Sequence, residues 1–176
     1  MIAPSSRLSF RCADDNAGVI VKAMSEATFA ERLRLRRAAA GLTQRELATA
    51  SGVKQPLIAA IESGARQPTA SARAALEGAL QVRPSQVLRV ARDQVLAAVL
   101  AIGGENVRVF GSVAHGTDQP DSDIDLLVTF QPGSDIVTLL TLEEDLATLL
   151  TVPVDVVSAG SSGPLLVRAL AEAVPL

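Results

Sequence analysis

The chain has 176 residues and a mass of 18.2 kDa, room for one ordinary domain or two small ones. Apolar residues make up 48% and charged residues 20%, so the chain can bury a core and is not a disordered tail. With 2% aromatics and neither Trp nor Tyr, it lacks the stacking platforms of single-strand nucleic-acid binders.

The single cysteine, Cys12, excludes an internal disulfide and a cysteine-based zinc site, and fits a reducing cytoplasm. No run of about 18 apolar residues is present, so no membrane span is expected. Met1 to Lys22 lacks the apolar segment and cleavage site of a signal peptide, so a cytoplasmic location is expected. The net charge of −3 hides a split. Residues 1–103 carry 14 Lys/Arg and 8 Asp/Glu, a balance of +6, whereas 104–176 carry 2 and 11, a balance of −9. The first half can meet phosphates directly; the second repels them unless cations intervene.

In chain order, residues 1–25 read as a flexible leader, and Met24 is an alternative start. A compact helical unit is expected over 26–83. Thr28 with Glu31 is a capping box for a first helix ending at Gly41, and Thr43 with Glu46 one for Gln44 to Ser51. After Gly52, Lys54 to Ser63 reads as a third helix, with Pro56 tolerated in its first turn. Thr69 caps a fourth through Leu80. A helix from Ser85 to Ile102 is expected to link the halves across 84–103.

After Gly103–Gly104 the period changes. Val107 to Phe110, Ile124 to Phe130 and Val152 to Val157 read as buried strands. Ile136 to Leu150 reads as a helix with Glu143, Glu144 and Asp145 on its wet side, and Leu165 to Ala173 as a closing helix. The expected fold is α+β: an all-α bundle, a joining helix, and a small sheet domain over 104–176.

Two helices around a glycine turn suit a helix-turn-helix when the inside positions are small or apolar. Leu47, Ala48, Val53, Ile58 and Ile61 meet that demand. The stretch Gly41-Leu-Thr-Gln-Arg-Glu-Leu-Ala48, then Ser51-Gly-Val-Lys-Gln-Pro-Leu-Ile58 and Arg66-Gln-Pro68, resembles the Cro/repressor-type (XRE) family. The resemblance implies that the third helix enters the major groove of operator DNA. Gln44 would then touch backbone phosphate, Lys54 and Gln55 would read bases, and Arg66 would approach phosphate from the following loop. Arg34, Arg36 and Arg37 read as a solvated helix face.

The second pattern is Phe110-Gly-Ser-Val-Ala-His-Gly116 followed by Asp121-Ser-Asp-Ile-Asp-Leu-Leu-Val128. A Gly111-Ser112 turn after a strand lets backbone N–H groups and a hydroxyl converge on a phosphate. Asp123 and Asp125, one residue apart, face the same way and can share divalent cations. Asp155 stands between Val154 and Val156, where a carboxylate is costly unless it finds a cation or a partner. Asp118 and Asp121 read as turn and capping residues. The spacing of Gly-Ser and Asp-x-Asp, with a third Asp on a later strand, resembles the minimal nucleotidyltransferases of the polymerase-β-like superfamily.

That resemblance implies that Gly111 and Ser112 hold the triphosphate of ATP, while Asp123, Asp125 and Asp155 bind Mg²⁺ and carry catalysis. His115 stands where relatives often have Arg, a permanent charge that a neutral imidazole cannot replace. The pairing of modules resembles the antitoxin of HEPN/MNT toxin–antitoxin systems. It implies transfer of AMP to a tyrosine of a cognate HEPN toxin, repression of the shared operon, and a homodimer or a hetero-oligomer with toxin. A regulator with a nucleotide-sensing pseudo-nucleotidyltransferase domain and an antibiotic-modifying nucleotidyltransferase are the alternatives.

Overall fold

The computed structural model describes residues 28–131 and 136–176. The leader expected over 1–25, with Cys12 and Met24, lies outside the described residues. Helix α1 (Phe29–Ala39) opens on the Thr28–Glu31 box: the Thr28 hydroxyl accepts the Glu31 N–H, and the Glu31 carboxylate accepts the Thr28 N–H at 2.7 Å. The Thr43–Glu46 box opens α2 (Gln44–Ser51), which Gly52 closes at φ 72°, a left-handed turn that favours glycine. Helices α3 (Gln55–Glu62), α4 (Ala70–Ala79) and α5 (Pro84–Ala101) follow. Phe29, Leu33, Leu47, Val53, Ile58, Ile61, Leu76 and Leu80 form the core of this helical unit. Leu47 and Ile58 are fully buried across the glycine turn, each contributing about 1.5–3 kcal/mol to its closure.

The rest is a four-stranded mixed sheet in the order β3-β2-β1-β4. Its elements are β1 (Gly104–Phe110), α6 (Gly111–His115), β2 (Ile124–Phe130), α7 (Ile136–Leu150), β3 (Val154–Ser158), α8 (Pro164–Glu172) and β4 (Val174–Pro175). β1 runs antiparallel to both β2 and β4, and β2 is parallel to β3. One sheet face is covered by α5 and α7. There Val87, Val95 and Val99 pack with Val109, Leu126 and Val128, and with Leu142, Leu146 and Leu150. The other face carries Phe110 and Leu127 against Ala169 of α8. Glu143 of α7 accepts the Val156 N–H at 2.9 Å, satisfying a donor on the edge strand β3 that could otherwise pair with another chain.

The helical unit and the sheet share packing. Ala39 of α1 belongs to the cluster that contains the sheet residues. Arg36 donates to the Thr151 carbonyl at 3.3 Å, to its hydroxyl at 3.0 Å and to the Leu80 carbonyl at 3.2 Å. Thr151 sits at φ 62°, strained for a β-branched residue, and both of its oxygens receive this arginine. Asp118 is buried and accepts the Ser85 N–H at 2.9 Å, so the loop after α6 caps the start of α5, a long-range contact rather than a local turn.

Two expectations are corrected. Arg36 and Arg37 do not form a solvated face with Arg34: both are half-buried, and Arg37 pairs with the buried Glu62. Asp145 is not on a wet side but 5% exposed, because α7 is enclosed by α5, β3 and α1 rather than by the sheet alone. Burial, with Glu144 beside it, pushes the Asp145 carboxyl above its usual range.

Candidate active site and nucleic-acid interface

The register of the sheet assembles the acidic site. Asp125 of β2 lies opposite Phe110 of β1 on one side and Asp155 of β3 on the other. Asp123 immediately precedes β2. Carboxylate oxygens of Asp123, Asp125 and Asp155 come within 4.8 Å of one another. Asp123 and Asp155 are exposed and Asp125 is half-buried. Burial, then the charges of Asp123 and Asp155, pushes the Asp125 carboxyl above its usual range, with Arg168 pulling against them. Three hard oxygen donors, converging without a neutralising partner of equal charge, could hold a hard divalent cation.

Gly111 joins this site to β1. It takes φ 67°, and a Cβ there would collide with the Asp125 carboxylate, so glycine is required both for conformation and for room. The next side chain, Ser112, has its Oγ buried with no hydrogen-bond partner among the described residues. A buried donor left unsatisfied is costly, and a phosphate oxygen is a suitable acceptor for it. His115 Nδ1 lies 2.8 Å from the Gly111 carbonyl, so the ring braces the turn that Gly111 and Ser112 begin. Helix α8 borders the same region. Its Arg168 pairs with Glu172 at 3.1 Å, and both charges act on Asp125. The sequence reading missed Arg168 and Glu172. Their signal was the four-residue spacing of opposite charges in a half with only two basic residues.

The helix-turn-helix surface is also prewired. Gln55 at the start of α3 donates to the Gln44 side-chain carbonyl at 2.9 Å, and Gln44 donates to Glu62 at 2.9 Å. Arg37 grips the same carboxylate through two nitrogens at 2.6 and 2.9 Å, and also donates to the Leu42 carbonyl at 2.8 Å. Burial pushes Glu62 up, but hydrogen bonds from Arg37 and Gln44 outweigh it and leave the carboxyl below its usual range. Gln44 and Gln55 are thus brought together. Lys54 is exposed at the N-cap of α3, and Arg66 is exposed in the turn beyond it. Arg37 and Glu62, which hold the pair of glutamines, were missed because their sequence separation of 25 gives no periodic signal.

Residues 33–87 match a helix-turn-helix family, and residues 105–174 match the polymerase β nucleotidyltransferase family. A protein of Methanocaldococcus jannaschii, named provisionally as a protein adenylyltransferase, is 37% identical over 84 residues, which span 47% of this chain and 90% of that protein. The chain belongs to the nucleotidyltransferase family. A solved structure described provisionally as a minimal nucleotidyltransferase is 43% identical, covering 52% of this chain and 95% of that one, with a TM-score of 0.47. By its family this nucleotidyltransferase is an enzyme, with a helix-turn-helix built onto its sheet through α1 and α5. Among the described residues, no helix is long and apolar enough to cross a membrane.

Proposed function

We infer that the chain is a DNA-binding antitoxin that transfers AMP from ATP to a tyrosine of a cognate HEPN toxin and represses its own operon. The observation that carries the transfer reaction is the carboxylate trio placed against a glycine that must lack a side chain and an unsatisfied buried serine hydroxyl. In this reading Gly111 and Ser112 hold the triphosphate, and Asp123 and Asp125 hold Mg²⁺. Bound Mg²⁺ supplies charge neutralisation across the phosphates. Asp155 completes the ligand set and accepts the proton of the tyrosine hydroxyl. The phenolic oxygen forms a bond to the α-phosphorus as the bond to the bridging oxygen breaks, and pyrophosphate leaves with the electron pair.

A protein acceptor is supported by the provisional name of the archaeal relative and by the surface beside the site. Leu165, Val167 and Leu170 of α8, the helix that carries Arg168, are exposed large apolar side chains, suited to a partner that brings its own wall. Gln44, Lys54, Gln55 and Arg66 form the operator-facing surface, with Gln55 and Lys54 toward bases and Gln44 and Arg66 toward phosphates. The test is to co-express the neighbouring gene product and weigh it. A mass increase of one AMP unit, absent with Asp123→Asn/Asp125→Asn, is the expected result. ATP binding with no transfer to that partner would instead leave a nucleotide-sensing regulator.

A further inference from the structure

The geometry points to Arg168 as the cation that holds the polyphosphate end of the nucleotide, resting on Glu172 when the site is empty of substrate. It builds on the nucleotide reading above and adds to it a residue outside the Gly-Ser and Asp-x-Asp pattern.

From residue 104 onward the chain carries two basic side chains, Arg108 and Arg168, against eleven acidic ones. The charges acting on Asp125 are those of Asp123, Asp155, Glu172 and Arg168; Arg108 is not among them. Arg168 is therefore the fixed positive charge of this half that reaches the acidic cluster. Its position follows from packing. The neighbouring Ala169 is fully buried against Phe110 and Leu127, and Phe110 both precedes Gly111 and pairs with Asp125. Helix α8 also packs against α6 and β3, the elements that carry Ser112 and Asp155. One helix face thus delivers Arg168 to the flank of the phosphate turn.

Arg168 is also held loosely enough to change partner. Its side chain is 62% exposed, and its one hydrogen bond among the described residues runs from Nε to Glu172 at 3.1 Å. An exposed pair four residues apart on a helix contributes little, so exchanging it for a multiply charged phosphate chain costs little. Glu172 is half-matched as well: its second oxygen, Oε2, is buried with no partner among the described residues. Position 115, meanwhile, offers an imidazole whose Nδ1 faces the Gly111 carbonyl rather than a guanidinium aimed outward. Arg168 is the permanent cation that the packing of α8 against α6 brings to the phosphate turn.

The test is displacement of a fluorescent ATP analogue from the full chain in Mg²⁺ by ATP and by AMP, for the wild type, Arg168→Ala and Arg168→Lys. ATP is expected to weaken about tenfold in Arg168→Ala, the scale of one lost charge-assisted contact, with AMP unchanged and Arg168→Lys intermediate. The unfolding midpoint of each variant is expected to match the wild type. Unchanged ATP affinity in Arg168→Ala, or equal losses for ATP and AMP, overturns the assignment while leaving the nucleotide site standing. A wild-type protein that binds no ATP overturns the nucleotide reading and this assignment together.

Discussion

Glu62 in the helical unit and Asp125 in the sheet are both acids drawn out of solvent, and they behave in opposite ways. Glu62 is 3% exposed, yet two nitrogens of Arg37 and one of Gln44 surround it, and its carboxyl is held below the usual range. Asp125 is less buried, yet burial and two further aspartates push it above that range. The first acid is completed by its own chain and serves as structure. The second is left incomplete, and incompleteness at a convergent, oxygen-lined point is what marks a binding site.

That contrast fails if the two acids respond alike to removal. The largest effect is expected in the sheet: Asp123→Asn/Asp125→Asn should lower AMP transfer by roughly three orders of magnitude, the rate equivalent of several kcal/mol of lost charge stabilisation. Operator binding in a gel-shift titration should be retained. In the helical unit, Glu62→Ala should destabilise the full chain by about 3–5 kcal/mol in denaturant unfolding, because Arg37 is left half-buried without its partner. The pH dependence sharpens the same point. Glu62 has its folded carboxyl below the ordinary value of 4.5, so its contribution is complete above that value and is lost as pH falls through the folded one. Acid unfolding of the wild type should therefore be steeper below about pH 4.5 than that of Glu62→Gln.

A smaller effect belongs to the reader surface. Gln55→Ala should cost about 1–3 kcal/mol of discrimination between operator and random DNA, whereas Gln44→Ala should weaken both more evenly, read by fluorescence anisotropy at fixed salt. The smallest effect is the most diagnostic. Asp125 has its carboxyl raised, so its charge at neutral pH opposes folding until a cation arrives. In EDTA, Asp125→Asn should unfold at a higher temperature than the wild type. Added Mg²⁺ should raise the wild type and leave the variant where it was.

Much of this was legible because it is local. The Thr28 and Thr43 boxes, the Gln44–Ser51 helix and the Ile136–Leu150 helix stand where caps and period put them. The Asp-x-Asp pair and the third Asp were readable as residues, but their convergence rests on the parallel pairing of β2 with β3, with Asp123 just ahead of β2. What escaped is non-local. β1 begins at Gly104 rather than Val107 because pairing with Phe130 and Thr129, not side-chain pattern, extends it. β4 is two residues whose only signal is the partner strand, Arg108 and Val109. Arg36, Arg37 and Asp145 were placed by helical period, which tells which face is polar but not what comes to lie against it.

With Ala39 packed among sheet residues and Arg36 bonded to Thr151, the helical unit is joined through α1 to the sheet that carries the carboxylates. Two copies seated on half-sites one helical turn apart, about 34 Å, would hold their transfer sites at a set separation and on one side of the duplex. DNA would then act as a ruler for the chemistry. Inserting about five base pairs between half-sites, half a turn, would swing one transfer site to the far side of the duplex without touching either protein.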